Sequence, residues 1–149
     1  MTQYEQSIIN QALAILNNDL TKGERKPFNS PSMAIDFLRL QLETEEQEVF
    51  LVMFLDQQNR LIEAKKMFFG TIDYCSIHPR EVAKKCLEVN AAAVIISHNH
   101  PSGDSTPSQA DIKFTKQIKE ALGLFSIRIL DHIIIGQGEQ SSLAEDDLI

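Results

Sequence analysis

The sequence has little that would suit a nucleic-acid coat or a disulfide-stapled fold. Tryptophan is absent and tyrosine occurs twice in 149 residues, which disfavours broad aromatic platforms for stacking single-stranded bases. The chain has 14 lysines and arginines and 21 aspartates and glutamates, so its net charge is −7. This charge repels polyphosphates at long range. The two cysteines, Cys75 and Cys86, are too few for a disulfide framework and form no Cys-x-x-Cys zinc motif.

Long apolar runs are missing as well. No stretch approaches the roughly 18 residues that would indicate a membrane span. Residues 1–10 show no basic start followed by an apolar run, so no secretory signal is visible. Apolar residues make up 43% of the chain and charged residues 23%, which is typical of a folded globular domain. We therefore expect a single-domain cytoplasmic protein with reduced thiols.

The first half of the chain predicts two helices and a hairpin. Apolar residues spaced by four over 8–20 predict an amphipathic helix. The polar run 21–27 contains glycine and proline and is predicted to be a linker. A second helix is predicted over 30–42, with serine as N-cap and proline at its first position. The apolar run 49–55 predicts a strand covered on both faces, and 61–69 predicts its hairpin partner.

The second half predicts helices and strands in alternation. A helix is predicted to start at His78-Pro79, and 91–97 is predicted to be a short buried strand. Residues 98–107 are typical of a loop. A helix from Ser108 to Gly123 and a strand over 127–135 follow. The whole order predicts an α/β fold, with a mixed sheet flanked by helices.

The segment with the most chemical information is His98-x-His100, followed after seven residues by Ser108-x-x-Asp111. Residues i and i+2 at a strand end point the same way, so the two imidazoles are predicted to face one point, with Asn99 turned away. The proline- and glycine-containing loop can fold back and bring Asp111 to them. Two imidazoles and one carboxylate are a common ligand set for catalytic zinc and leave a position for water, which zinc activates as a nucleophile.

Other interpretations of these residues stay open. Ser-x-x-Asp before a helix resembles a capping box, and a His-x-His pair alone is a weak metal signal. The two roles are compatible, because Ser108 can cap the helix while Asp111 binds a metal. A hydrolase would also need a general base, and four acidic residues precede the first strand: Glu43, Glu45, Glu46 and Glu48. Glu48 adjoins the apolar run, so of the four it is expected to be held most rigidly at the edge of a pocket. Spacing alone does not identify it as the general base.

The remaining polar residues have simpler interpretations. His78 is expected to shape a helix start, and His132 is expected to pack in the core or at a sheet edge. Cys86 lies on an apolar helix face and is expected to be a core residue. Three lysines recur along one side of the last helix and indicate a solvated face or a local phosphate-binding patch: Lys113, Lys116 and Lys119.

These motifs together resemble a known family. Residues 98–104 with 107–111 are similar to the JAMM signature, also called JAB or MPN+, in its bacterial RadC form. Three supporting blocks match in order and spacing, at 78–82, 90–95 and 131–136. The similarity covers most of the chain, from about residue 32 to the C-terminus.

The resemblance implies a fold and a site. The fold would be a curved mixed sheet wrapped by helices, similar to cytidine-deaminase-like domains. One Zn²⁺ per chain would be bound by His98, His100 and Asp111. Glu48 would activate the water, with Glu46 as the fallback, and Ser108 would donate a hydrogen bond to the oxyanion. JAMM relatives cleave peptide or isopeptide bonds, so we expect a metallopeptidase with a peptide or protein substrate.

The resemblance also implies boundaries and an alternative. We expect a helix and linker over 1–29 and the JAB domain over 30–149. Longer RadC relatives carry a helix-hairpin-helix region for DNA contact, and the residues before the similarity are too few for it. Residues 142–145 are Ser-Leu-Ala-Glu, where the family usually has Ser-Phe-Ala-Glu. This difference is expected to affect the edge of the pocket and not the metal site. The alternative functions are nucleic-acid or partner binding in DNA repair or mobile-element biology, and a metal-binding scaffold without turnover.

Overall fold

The computed structural model describes residues 1–21, 31–70 and 77–149. The predicted linker over 21–27 falls almost wholly outside the described residues, as do Ser30 and Cys75. The described chain forms four helices and five strands in a single α/β unit, which confirms the predicted fold class. The elements are α1 Gln3–Thr21, α2 Pro31–Leu42, β1 Val49–Leu55, β2 Leu61–Phe69, α3 Pro79–Val89, β3 Ala93–Asn99, α4 Gln109–Gly123, β4 Arg128–Ile135 and β5 Gln140–Ser142.

The five strands form one mixed sheet in the order β2-β1-β3-β4-β5. β1 pairs antiparallel with both β2 and β3, and its register places Phe50 opposite His98. β3 and β4 run parallel because α4 carries the chain back between them, and this register aligns Ile96 with His132. β5 closes the far edge as an antiparallel partner of β4.

Each face of the sheet has its own apolar core. One face of β1 and β3 packs with α2, through residues such as Leu51, Ile95 and Phe37. The opposite face packs with α3 and α4, through residues such as Phe50 and Phe114. Every residue of β1 is therefore buried, which explains its unbroken apolar sequence.

The structure differs from the sequence prediction at both ends of β3. β3 begins at Ala93 rather than Ala91, because Asn90 takes the left-handed conformation and the Ala91 N–H still bonds the Cys86 carbonyl at the end of α3. β3 also extends through Asn99, so His98 belongs to the strand and not to the loop.

The short strand β5 is absent from the sequence prediction. It has only three residues, too few for a periodic pattern, and it exists because β4 offers an open edge. α1 is longer than the predicted 8–20, and it begins at Gln3. None of the helices in the described ranges is long and apolar enough to cross a membrane.

Candidate metal centre

Three side chains converge where β3 ends and α4 begins. The Nε2 atoms of His98 and His100 lie 3.0 Å apart. The first lies 3.4 Å from Asp111 Oδ1, and the second lies 3.5 Å from Asp111 Oδ2. The three predicted ligands therefore form one compact group that could hold a metal ion.

The donor atoms of these three residues are close enough together to hold one metal ion. Ligands about 2.0–2.1 Å from zinc at tetrahedral angles lie about 3.3 Å from one another. The shortest separations in this group are 3.0, 3.4 and 3.5 Å, and the last two end on different oxygens of Asp111. With one donor atom taken from each residue, the three atoms all lie within 4.8 Å of one another. Two imidazoles and a carboxylate are also the donor types of open catalytic sites. The residues present therefore fit a divalent metal ion, which His98, His100 and Asp111 would hold.

Asp111 is held in place by the start of α4. Its backbone N–H donates to Ser108 Oγ at 3.0 Å, and its Oδ2 accepts from the Ser108 N–H at 2.9 Å. This reciprocal pair is the predicted capping box, with aspartate in place of glutamate. The cap fixes the rotamer of a carboxylate that is only 3% exposed. The capping side chain is thus already held in an orientation in which it could also bind a metal ion.

His100 is oriented by the loop that follows it. Its Nδ1 lies 2.8 Å from the Asp104 carbonyl oxygen, which can only accept, so Nδ1 carries the proton and Nε2 faces Asp111. The hydrogen bond to Asp111 raises the pKa of His100, and the charge of Glu48 adds to this. A backbone carbonyl behind a ligating imidazole is a common support in metal sites.

His98 is supported by two residues that lie farther along the chain. Its Nδ1 lies 2.8 Å from Nε2 of His132 on β4, and Nδ1 of His132 lies 2.6 Å from Thr115 Oγ1 on α4. Thr115 in turn donates to the Asp111 carbonyl at 2.7 Å. Complete burial lowers the pKa of His132 well below its usual value. The sequence predicts that His132 packs in the core or at a sheet edge, and its complete burial fits the first of these. The contact with His98 is not predicted from the sequence.

Glu48 lies at the entrance to β1, on the same side of the sheet as the two histidines. The pairing of β1 with β3 ends at Phe50 opposite His98, and Glu48 precedes Phe50 by two residues, so strand alternation puts Glu48 and Phe50 on one side. The half-buried Glu48 carboxylate is close enough to help raise the pKa of His100. The other acidic residues of this segment face elsewhere. Glu43 bonds Arg39, Glu45 bonds Lys66, and Glu46 is exposed.

Asn99 braces the segment that carries Glu48. Its side chain points to the opposite face from the imidazoles, as the strand alternation predicts. Asn99 Oδ1 accepts from the Val49 N–H at 2.7 Å, and Nδ2 donates to the Gln47 carbonyl at 2.9 Å. The residues on either side of Glu48 are therefore both hydrogen-bonded to Asn99, the residue between the two candidate metal ligands of the His-x-His segment.

The other residues singled out from the sequence lie away from this group. His78 is exposed and precedes Pro79 at the first position of α3, as predicted for a helix start. Cys86 is fully buried in the core beneath α3. The three lysines of α4 are all exposed.

Comparison with known proteins agrees with this architecture. A family model described as the RadC-like JAB domain matches residues 28–148, which is most of the chain. The chain belongs to the RadC-like JAB domain family. Its His-x-His and Ser-x-x-Asp segments, its cap and its β3–β4 pairing all lie within the residues that this JAB match covers.

Several curated relatives of this JAB domain carry the name UPF0758 protein. One from Cellvibrio japonicus is 50% identical over 140 residues, which are 94% of this chain and 62% of the relative. One from Haemophilus ducreyi is 52% identical over 118 residues, 79% of this chain and 53% of the relative. One from Vibrio cholerae is 48% identical over 138 residues, which are 93% of this chain and 86% of the relative. The chain thus spans about half to two thirds of the first two relatives.

Proposed function

We propose that this chain is a zinc-dependent hydrolase of the JAMM type that cleaves peptide or isopeptide bonds. The observation that carries the proposal is the meeting of His98, His100 and Asp111 at separations of 3.0–3.5 Å, with Glu48 on the same side of the sheet. A bound Zn²⁺ supplies Lewis acidity, which brings the pKa of a coordinated water near neutrality.

Glu48 is the proposed general base and then the general acid. Its carboxylate takes one proton from the attacking water, whose oxygen forms a bond to the substrate carbonyl carbon. When the carbon–nitrogen bond breaks, Glu48 returns that proton to the leaving amine. Its half-buried carboxylate, close enough to His100 to help raise the pKa of that histidine, supports this role.

Ser108 is the proposed oxyanion donor. Its Oγ is the acceptor in the helix cap, so the cap orients the hydroxyl without using its proton. Among the described residues the Ser108 hydroxyl donates no hydrogen bond. The residue is exposed beside the buried Asp111, where a substrate could reach it. A hydrogen bond to the developing negative charge would lower the barrier of the addition step.

The bond type rests on the family rather than on the site. Zinc, water and a carboxylate can hydrolyse several bonds, and the JAB superfamily includes hydrolases. Peptide or isopeptide cleavage, zinc as the metal and a protein substrate are therefore parts of the proposal that experiments must test.

The test measures metal and cleavage in the same preparations. The full chain is reconstituted with Zn²⁺, its metal content is measured, and it is incubated with a mixture of bacterial peptides. We expect about one zinc per chain, its loss in His98→Ala and Asp111→Ala, and new amino termini detected by mass spectrometry. Glu48→Gln should keep zinc and lose cleavage, whereas Glu46→Gln should keep both.

Three results would contradict parts of this proposal. No zinc after reconstitution would remove the metal centre. Zinc without new termini would favour the metal-binding scaffold without turnover. Equal cleavage by the wild type and Glu48→Gln, with loss in Glu46→Gln, would move the base to Glu46.

One structural feature favours the second candidate function, which is nucleic-acid association. Lys113, Lys116 and Lys119 are all exposed along α4. Binding through them should be salt-sensitive and should weaken in Lys113→Glu or Lys116→Glu, as measured by fluorescence anisotropy with duplex DNA. A lack of binding at low salt would remove this candidate.

A further inference from the structure

We infer that His132 and Thr115 are positioning residues that hold His98 in the one tautomer able to bind a metal ion through Nε2. The inference rests on the proposed function only in that it takes the histidine–aspartate group to be a metal site. It assigns a task to two buried polar side chains outside the ligand set.

Donor counting sets the direction of the hydrogen bonds. The Asp111 carbonyl can only accept, so the single proton of the Thr115 hydroxyl is used there. The Thr115 oxygen must then accept from Nδ1–H of His132. A neutral His132 has no second proton, so its Nε2 accepts from Nδ1–H of His98. The Nε2 lone pair of His98 therefore faces His100 and Asp111.

The same contacts join three separate elements into a closed ring. His98 lies on β3, His132 on β4, and both Thr115 and Asp111 on α4. The ring begins at the Asp111 carboxylate, passes through the two histidines and Thr115, and returns to the Asp111 carbonyl. His98, Thr115 and His132 are at most 1% exposed, so water cannot readily replace a lost member.

Loss of the Thr115 hydroxyl should reverse the tautomers. Without an acceptor at Nδ1, the proton of His132 is better placed on Nε2, where it donates to Nδ1 of His98. The proton of His98 then occupies Nε2, which is the atom that must bind the metal. A role in packing alone makes no such prediction, because valine fills nearly the same volume as threonine.

The matched variants are Thr115→Val, which removes the hydroxyl, and Thr115→Ser, which keeps it. Zinc affinity of the full chain is measured by competition with a chromophoric chelator. We expect Thr115→Val to weaken the affinity about 10–100-fold and Thr115→Ser to stay close to wild type. The histidine tautomers of the metal-free chains are measured by nitrogen-15 NMR at mildly alkaline pH. We expect the proton of His98 on Nδ1 in the wild type and in Thr115→Ser, and on Nε2 in Thr115→Val.

A second pair covers the case in which Thr115→Val does not fold. His132→Gln keeps an acceptor toward His98 and a donor toward Thr115, whereas His132→Leu keeps neither. We expect tight zinc binding in the first and weakened binding in the second. The inference would be overturned if folded Thr115→Val kept the zinc affinity and the tautomers of the wild type. It would also be overturned if His132→Gln and His132→Leu bound zinc equally well. The tautomer measurement needs no metal, so a failure of the proposed function would be distinguished from a failure of this inference.

Discussion

Gly136 and Gly103 approach so closely that a Cβ on Gly136 would lie less than 3.0 Å from the Gly103 carbonyl oxygen. That oxygen accepts a hydrogen bond from the Gln137 N–H at 2.9 Å, and the His100 N–H donates to the Ile135 carbonyl at 2.8 Å. The loop after β3 is therefore fastened to the end of β4. Because this loop supplies the Asp104 carbonyl behind His100, the close approach also shapes the candidate metal centre.

Gly136→Ala should damage both stability and metal binding. The added methyl group forces the Gly103 backbone outward, and overpacking of this kind costs about 1–3 kcal/mol. We expect the free energy of unfolding to fall by that amount and zinc affinity to weaken, as measured by urea denaturation and chelator competition. Gly123→Ala is the control, because nothing lies within 4 Å of its Cβ position. Equal stability of the two variants would contradict the close approach.

Asn99→Asp tests whether the brace on Glu48 serves turnover. The variant keeps the shape and the acceptor for the Val49 N–H but replaces the donor to the Gln47 carbonyl with a second oxygen. We expect about 1–3 kcal/mol of destabilisation from the unpaired carbonyl. Glu48 would be less well positioned, so kcat should fall more than zinc affinity. A loss of zinc without a change in kcat of the loaded chain would show that Asn99 serves the ligands instead.

Asp131 should make stability depend on pH in the acidic range. Burial raises its pKa from the usual 3.8, although Ser142 Oγ and the backbone N–H groups of His132 and Ala144 donate to it. The folded chain therefore binds the proton more tightly than the unfolded chain. The stabilisation that comes from this proton is fully present below the pKa that Asp131 has in the unfolded chain. It is lost as pH rises through the pKa that Asp131 has in the folded chain.

The comparison with Asp131→Asn isolates that contribution. The difference in free energy of unfolding, wild type minus variant, should fall as pH rises through this window and then stay constant. Urea denaturation across acidic pH measures it. A difference that rises with pH would mean that the three donors outweigh burial and lower the pKa.

Cys86 should be inert toward thiol reagents in the folded chain. It is fully buried, and burial raises the pKa of its thiol to about 11, so little thiolate forms near neutral pH. In a Cys75→Ser background, we expect labelling by a disulfide reagent only after denaturant is added. Rapid labelling of the native variant would show that the core beneath α3 opens readily.

Much of the fold could be predicted from local patterns. The spacing of apolar residues predicted α2, β1, β2, α3, α4 and β4, because each pattern is set by residues within a turn or a strand of one another. The alternation of a strand predicted that His98 and His100 share a side, and the capping motif predicted the place of Asp111 in the first turn of α4. The three-residue β5 has no such local pattern, because only the neighbouring edge of β4 defines it.

The sequence by itself determined the α/β class and the local arrangement of the histidine–aspartate group, since those depend on short-range geometry. Only the tertiary structure shows that the charge of Glu48 acts on His100, because the pairing of β1 with β3 brings together residues that are far apart in the chain. It also decided the partner of His98, which lies 34 residues away on a parallel strand. A polar residue in an apolar strand indicates that some buried partner exists, but strand pairing determines which one.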